Sequence, residues 1–193
     1  MGGVQPRLSN DERTVAIGAP TRPFWVSLAI PYTLLVTGFG WGVWQSADRA
    51  RALPIVGGLI VACGALGIVW PFASMHQREV LAAGGSTVSD TLHIALASVT
   101  VVLMLIAMGV GATVLGKRFR AYSIVSLLVL AVCGAFTFRD APGVAANQPT
   151  PWIGIWERIN VGVFLLWVVV LAIELLRRRP GDLSPLPPSS LAP

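Results

Sequence analysis

The sequence predicts an all-α integral membrane bundle of five transmembrane helices, and three observations carry that prediction. Five long apolar runs are broken by short polar segments. Hydrophobic residues make up 54% of the chain and charged residues only 12%, with a mean hydropathy of +0.72, whereas ordinary globular domains carry roughly 25% charged residues. Basic residues collect on alternate connections. Strands are a poor alternative, because the runs are continuous rather than alternating, and only helices or closed barrels satisfy backbone polar groups inside lipid.

The runs are 24–45, 53–72, 88–115, 122–138 and 156–176. Each lies near the roughly 20 residues that a helix needs to cross about 30 Å of hydrocarbon. In the first, Pro31 cannot donate its amide to the carbonyl of Ser27, which predicts a bend, with Thr33, Thr37 or a facing helix to satisfy that carbonyl. Trp25, Trp41 and Trp44 fall near the two interfaces, where indole rings prefer to sit. The third run opens with a wet first turn. Small residues, including Gly58 with Ala62 and Ala107 with Gly111, are spaced to let helices approach closely. Cys63 and Cys133 lie mid-run among Val, Ala and Gly and read as packing residues rather than a disulfide or metal pair. Glu174 near the end of the fifth run is expected to pair locally with Arg177 and Arg178.

Five such spans use most of the 193 residues and leave no separate soluble domain. The organisation is a polar amino-terminal tail over 1–20, a transmembrane bundle over 21–179, and a disordered cytoplasmic tail over 180–193, in which five of fourteen residues are proline. The first 20 residues hold no apolar stretch long enough for a secretory signal.

Orientation follows from the 14 basic residues. Arg49, Arg51, Lys117, Arg118, Arg120 and Arg177 to Arg179 fall on one side, and Arg7, Arg13, Arg22, Arg78, Arg139 and Arg158 on the other. The short loops and the final cluster decide the assignment, which places the carboxyl terminus in the cytoplasm and the amino terminus outside a cytoplasmic (inner) membrane. An external amino tail strains this reading, since no preceding helix helps it across. The net charge of +5 and pI near 10.2 are what cytoplasmic retention and anionic headgroups require, so membrane lipids are the expected partner and nucleic acid is not.

No motif commits the chain to a reaction. The one constellation with chemical potential lies in the outer connections, in WPFASMHQRE after the second run, SDTLH opening the third, FRDAPG, and PTPWIGIWERIN leading into the fifth. These gather His76, Arg78, Glu79, Asp90, His93, Arg139, Asp140, Glu157, Arg158 and Asn160 at one membrane face. Asp90 with His93 and Glu157 with Asn160 are three apart, so each pair shares a helix face. Carboxylate and imidazole together could bind a divalent metal, relay a proton or orient a headgroup. For zinc, His76, Asp90 and His93 are a plausible set with an open position for water, but no HExxH fixes the geometry. No cofactor is called for; a haem would need its two histidines facing across the bundle. The leading reading is a lid of salt bridges and hydrogen bonds between loops, with Ser89 or Asp90 capping the third helix, Glu157 and Arg158 paired to different neighbours, and Arg78 or Arg139 supplying one partner.

The stretches GFGWGVWQSADRARALPIVGGLI, WPFASMHQRE, SDTLHIALA, GKRFRAYSI and above all PTPWIGIWERINVGVFLLWVVVLAI resemble a bacterial multi-pass membrane family catalogued as a domain of unknown function, DUF998. The resemblance runs from about Ala16 to Arg179. It implies that His76, Asp90, His93, Glu157, Arg158 and Asn160 fall on recurring polar positions of the family, and it brings no activity with it. It also implies an additional helix ahead of AIGAPTRPFW that this chain begins too late to contain, from a start assigned too far downstream or a shortened member. The amino tail would then be the remnant of an outer loop.

The expected role is a non-enzymatic membrane scaffold, sensor or small-ligand binder with a polar cluster at the outer face. The alternative is a metal-dependent membrane hydrolase acting on an outer-leaflet lipid, with His76, His93 and Asp90 as ligands and Glu157 as general base. A transporter is disfavoured by the lack of mid-span charge and of a visible inverted repeat.

Overall fold

A computed structural model describes residues 16–46 and 52–177. Helix α1 covers Arg22–Gln45, and α2 covers Leu53–Leu66 and is followed by a 3-10 turn at Trp70–Phe72. The short α3 is Arg78–Ala82, and α4, α5 and α6 are Val88–Gly111, Lys117–Ala145 and Ile153–Arg177. There is no strand among the described residues. Helices α1, α4, α5 and α6, and α2 together with its 3-10 extension, are long and apolar enough to cross a bilayer, which makes this a multi-pass transmembrane helical protein.

The boundaries differ from the sequence expectation where charge or proline was read as punctuation. Helix α5 runs to Ala145, beyond Phe138, so Arg139 and Asp140 lie on a helix rather than in a loop. Charge ends an apolar run, yet it does not end a helix that has reached the headgroup region, where polar side chains are solvated. Helix α2 stops at Leu66, and Gly67 to Ala73 descend through tighter turns around Pro71. Helix α4 ends at Gly111, four residues early, and Ala112, Val114 and Leu115 are buried in the turn that follows.

Consecutive spans pack as neighbours: α1 on α2, α2 on α4, α4 on α5 and α5 on α6. The α1 to α2 contact is the closest, because glycines let the two backbones touch. A Cβ at Gly40 would stand 2.7 Å from the Val61 amide, and one at Gly64 would stand 2.8 Å from the Thr37 amide. Gly57 meets Trp44 in the same way. Gly58 is not part of this interface, since a Cβ there would meet nothing. Ala107 and Gly111 do mark a close contact, with the Trp167 ring lying against Gly111. Thr33 and Thr37 face Gly67 and Gly64 rather than the carbonyl of Ser27.

The core sits toward the α4 to α5 turn. Met108, Leu130, Phe164, Trp167 and Leu171 are fully enclosed there, and the Trp167 indole N–H donates to Ser123 Oγ at 2.9 Å. Lipid-facing positions such as Leu34, Leu35, Val125 and Leu166 are exposed, as solvation by hydrocarbon requires. Cys63 and Cys133 are buried free thiols. The tails over 1–15 and 178–193, the loop 47–51 with Arg49 and Arg51, and the pairing of Glu174 with Arg178 lie outside the described residues.

Candidate functional site: a capped cavity between α4, α5 and α6

The cap begins where the chain leaves α2. Ile17 donates its amide to Met75 O at 2.9 Å, which lays residues 16–20 on this segment and buries Ala16 and Ala19. Arg22, at the start of α1, donates to Pro71 O at 2.9 Å and to Ser74 Oγ at 3.3 Å. Ser89 donates to Ser74 O at 2.7 Å and to Phe72 O at 3.2 Å. A segment with little regular structure is thus held at the bundle end by side chains that satisfy its carbonyls.

Asp90 organises the next layer. It is the third residue of α4, and its carboxylate completes a capping box with Thr87, which is the N-cap in place of the expected Ser89 or Asp90. Oδ2 accepts the Thr87 amide at 2.8 Å and the Thr87 hydroxyl at 3.1 Å. Oδ1 accepts the His76 amide at 2.8 Å, and the His76 imidazole Nδ1 stands 2.9 Å from Oδ2. Asp90 is 4% exposed, so these four bonds replace water around a buried carboxylate.

The remaining sequence-predicted residues divide into three groups. Arg78 is buried at the first position of α3 and donates to Gln148 O at 2.8 Å and to Thr150 Oγ1, tying the cap to the connection before α6. His93 points back at the cap, with Nδ1 2.8 Å from Ala73 O and its ring edge-on to Trp70 at a centroid distance of 4.9 Å. Asn160 is buried and braces α6 to α5: with its amide oriented to satisfy both groups, it donates to Leu130 O at 3.0 Å and accepts from Gly134 N at 3.2 Å. Those two groups are an i, i−4 pair of α5, so the amide bridges the helix ladder itself.

Beneath the cap, α4, α5 and α6 enclose a partly open cavity of about 400 Å³. His76, Arg78, Glu79, His93, Glu157 and Asn160 line it with Trp70, Met75 and Gln77. Its walls are largely apolar, with Ile94, Ala97, Val101 and Met104 from α4, Phe138, Ala141 and Val144 from α5, and Ile153 and Val161 from α6; Thr137 bonds Cys133 O on its own helix, and the Thr100 hydroxyl is buried without a hydrogen-bond partner among the described residues. One turn beyond Met104, the buried core around Met108 closes the end. The cavity exists because small residues, Ala97, Gly134 and Ala141, stand where larger ones would fill the space.

Arg158 does not line the cavity; it is exposed and donates to Gly154 O at 3.4 Å on its own helix. Arg139 and Asp140 face each other at 3.7 Å on the exposed end of α5. His76, Asp90 and His93 do not form a metal-ligand set. No group of three or more His, Cys, Asp or Glu among the described residues is placed to hold a metal ion.

Sequence reasoning missed the roles of Ser74, Thr87 and Arg22 and the cavity itself. The Thr-x-x-Asp pattern ahead of an apolar run was a signal for the capping box at Thr87. No spacing rule marks Ala97, Gly134 and Ala141 as facing one another from two helices. No curated protein and no solved structure matches the chain. The family described as protein of unknown function (DUF998) matches residues 14–174, and with five apolar spans beneath a hydrogen-bonded cap the chain belongs to that family.

Proposed function

We propose that this protein is a non-enzymatic small-ligand binder of the cytoplasmic membrane, with its capped end outward and the end of α6 in the cytoplasm. The observation that carries the reading is a largely apolar cavity between spans whose charged groups and histidines sit at the cap, with only Thr100, Thr137 and Asn160 adding polar atoms further along the walls. Its volume falls within the roughly 300–1,000 Å³ typical of small-molecule sites, and the polarity gradient suits an amphipathic molecule. The orientation is supported by Lys117, Arg118, Arg120 and Arg177 at the opposite end, while on the cap side Arg22, Arg78 and Arg158 donate to backbone carbonyls and Arg139 faces Asp140.

Native mass spectrometry of the full chain released from nanodiscs tests this. Wild type is expected to retain a small amphiphile at one copy per chain, and Ala141→Phe, which fills the cavity, is expected to lose it. Equal retention by a folded Ala141→Phe protein would exclude the cavity as the binding site.

A further inference from the structure

Resting on that reading of the cavity, we propose that its occupant is a single-chain lipid with an uncharged hydroxyl head, whose O–H donates to Nε2 of His93. A carbonyl oxygen can only accept, so the contact with Ala73 O places the ring proton of His93 on Nδ1. In the neutral ring Nε2 is then an acceptor, and among the described residues it has no partner. Trp70 fixes the ring from the side, so the acceptor is set in place before a ligand arrives.

The charges around the cavity select against an anionic head. Its formally charged lining residues are Arg78, Glu79 and Glu157, a net negative set. Arg78 is buried and directs its guanidinium at Gln148 O and Thr150 Oγ1. A carboxylate or phosphate head would therefore bring an acceptor to an acceptor. An ammonium head would find Glu79 and Glu157 already engaged with other groups and would lose hydration against largely apolar walls in return for one neutral hydrogen bond. A hydroxyl matches the Nε2 acceptor at the least desolvation cost.

The shape points to one chain. From His93 to Met104 the α4 wall is eleven residues long, or about 16 Å at 1.5 Å per residue. It is lined by Ile94, Ala97, Val101 and Met104 at helical spacing. A slot of that length and about 400 Å³ accommodates one medium-length alkyl chain rather than two.

The test uses the full chain in phosphatidylcholine nanodiscs and a photoreactive dodecanol carrying a diazirine near its chain end. Labelling is expected on the peptide around Val101 to Met104 and should be absent in Ala141→Phe. Dodecanol should compete about five-fold better than dodecanoate, dodecylamine or dodecane, the worth of roughly one net hydrogen bond. In His93→Phe, labelling should persist and that preference should vanish; where this variant does not fold, the wild-type ranking decides alone. Equal competition by all four, a preference for the acid or the amine, or a preference surviving in His93→Phe overturns the hydroxyl assignment and leaves the cavity reading standing. Labelling of wild type no greater than that of Ala141→Phe overturns both.

Discussion

His76 and Asp90, fourteen residues apart, are joined twice: the His76 amide meets Oδ1 at 2.8 Å and the His76 ring meets Oδ2 at 2.9 Å. The same carboxylate caps α4 through Thr87. One buried side chain therefore fixes both the start of a transmembrane helix and the loop that roofs the cavity.

Asp90→Ala should remove all of these bonds at once and leave the Thr87 and His76 amides unsatisfied. Loss of the cap alone costs about 0.5–2 kcal/mol, and each orphaned buried group about 1–3 kcal/mol. A fall in detergent unfolding stability of about 3 kcal/mol is expected, with faster hydrogen exchange over residues 73–90. A loss under about 0.5 kcal/mol would show that Asp90 does not organise the cap.

The glycine contacts give a matched pair. Gly64→Leu should force α1 and α2 apart, because its Cβ would fall on the Thr37 backbone, and should cost about 1–3 kcal/mol. Gly58→Leu, one and a half turns earlier on the same helix, meets open space and should stay within about 0.5 kcal/mol of wild type. Thermal unfolding in one detergent compares them directly, and equal effects would contradict the packing described.

Asn160→Leu keeps the heavy-atom count and branching of the side chain and removes the bridge between α6 and the ladder of α5. Hydrogen bonds between membrane helices average about 0.6 kcal/mol and reach about 1.7, so a loss near 1 kcal/mol is expected. Glu157→Gln, on the exposed rim of the same cavity, should change stability less. The reverse order would move the structural role from Asn160 to Glu157.

Orientation has its own check in intact cells. A cysteine at Gln77 in the cap should react with an impermeant maleimide from outside, and one at Arg118 only after lysis. The two native thiols, Cys63 and Cys133, are buried and should contribute little background. The opposite pattern would invert the assignment.

Much of this was legible in the chain because lipid imposes one rule on every span: apolar residues in number, with basic residues at the ends. The five spans and the buried cysteines follow from that rule, and His76, His93, Glu157 and Asn160 line one cavity. The partners of those residues do not follow from it. His93 bonds a backbone carbonyl, Arg78 bonds a carbonyl and a threonine, and Asn160 bonds the α5 backbone. Backbone acceptors are present at every position and carry no sequence signature. The helix-packing glycines show the same limit, since Gly57 and Gly58 are adjacent and only three-dimensional phase decides which one faces α1.

An experimental density map of the full chain in lipid nanodiscs decides whether the cavity holds an elongated ligand. An elongated density running from His93 towards Met104 between α4 and α6 is expected in wild type, and none in Ala141→Phe. A map in which α4 and α6 close on each other and side chains fill that space in wild type would contradict it.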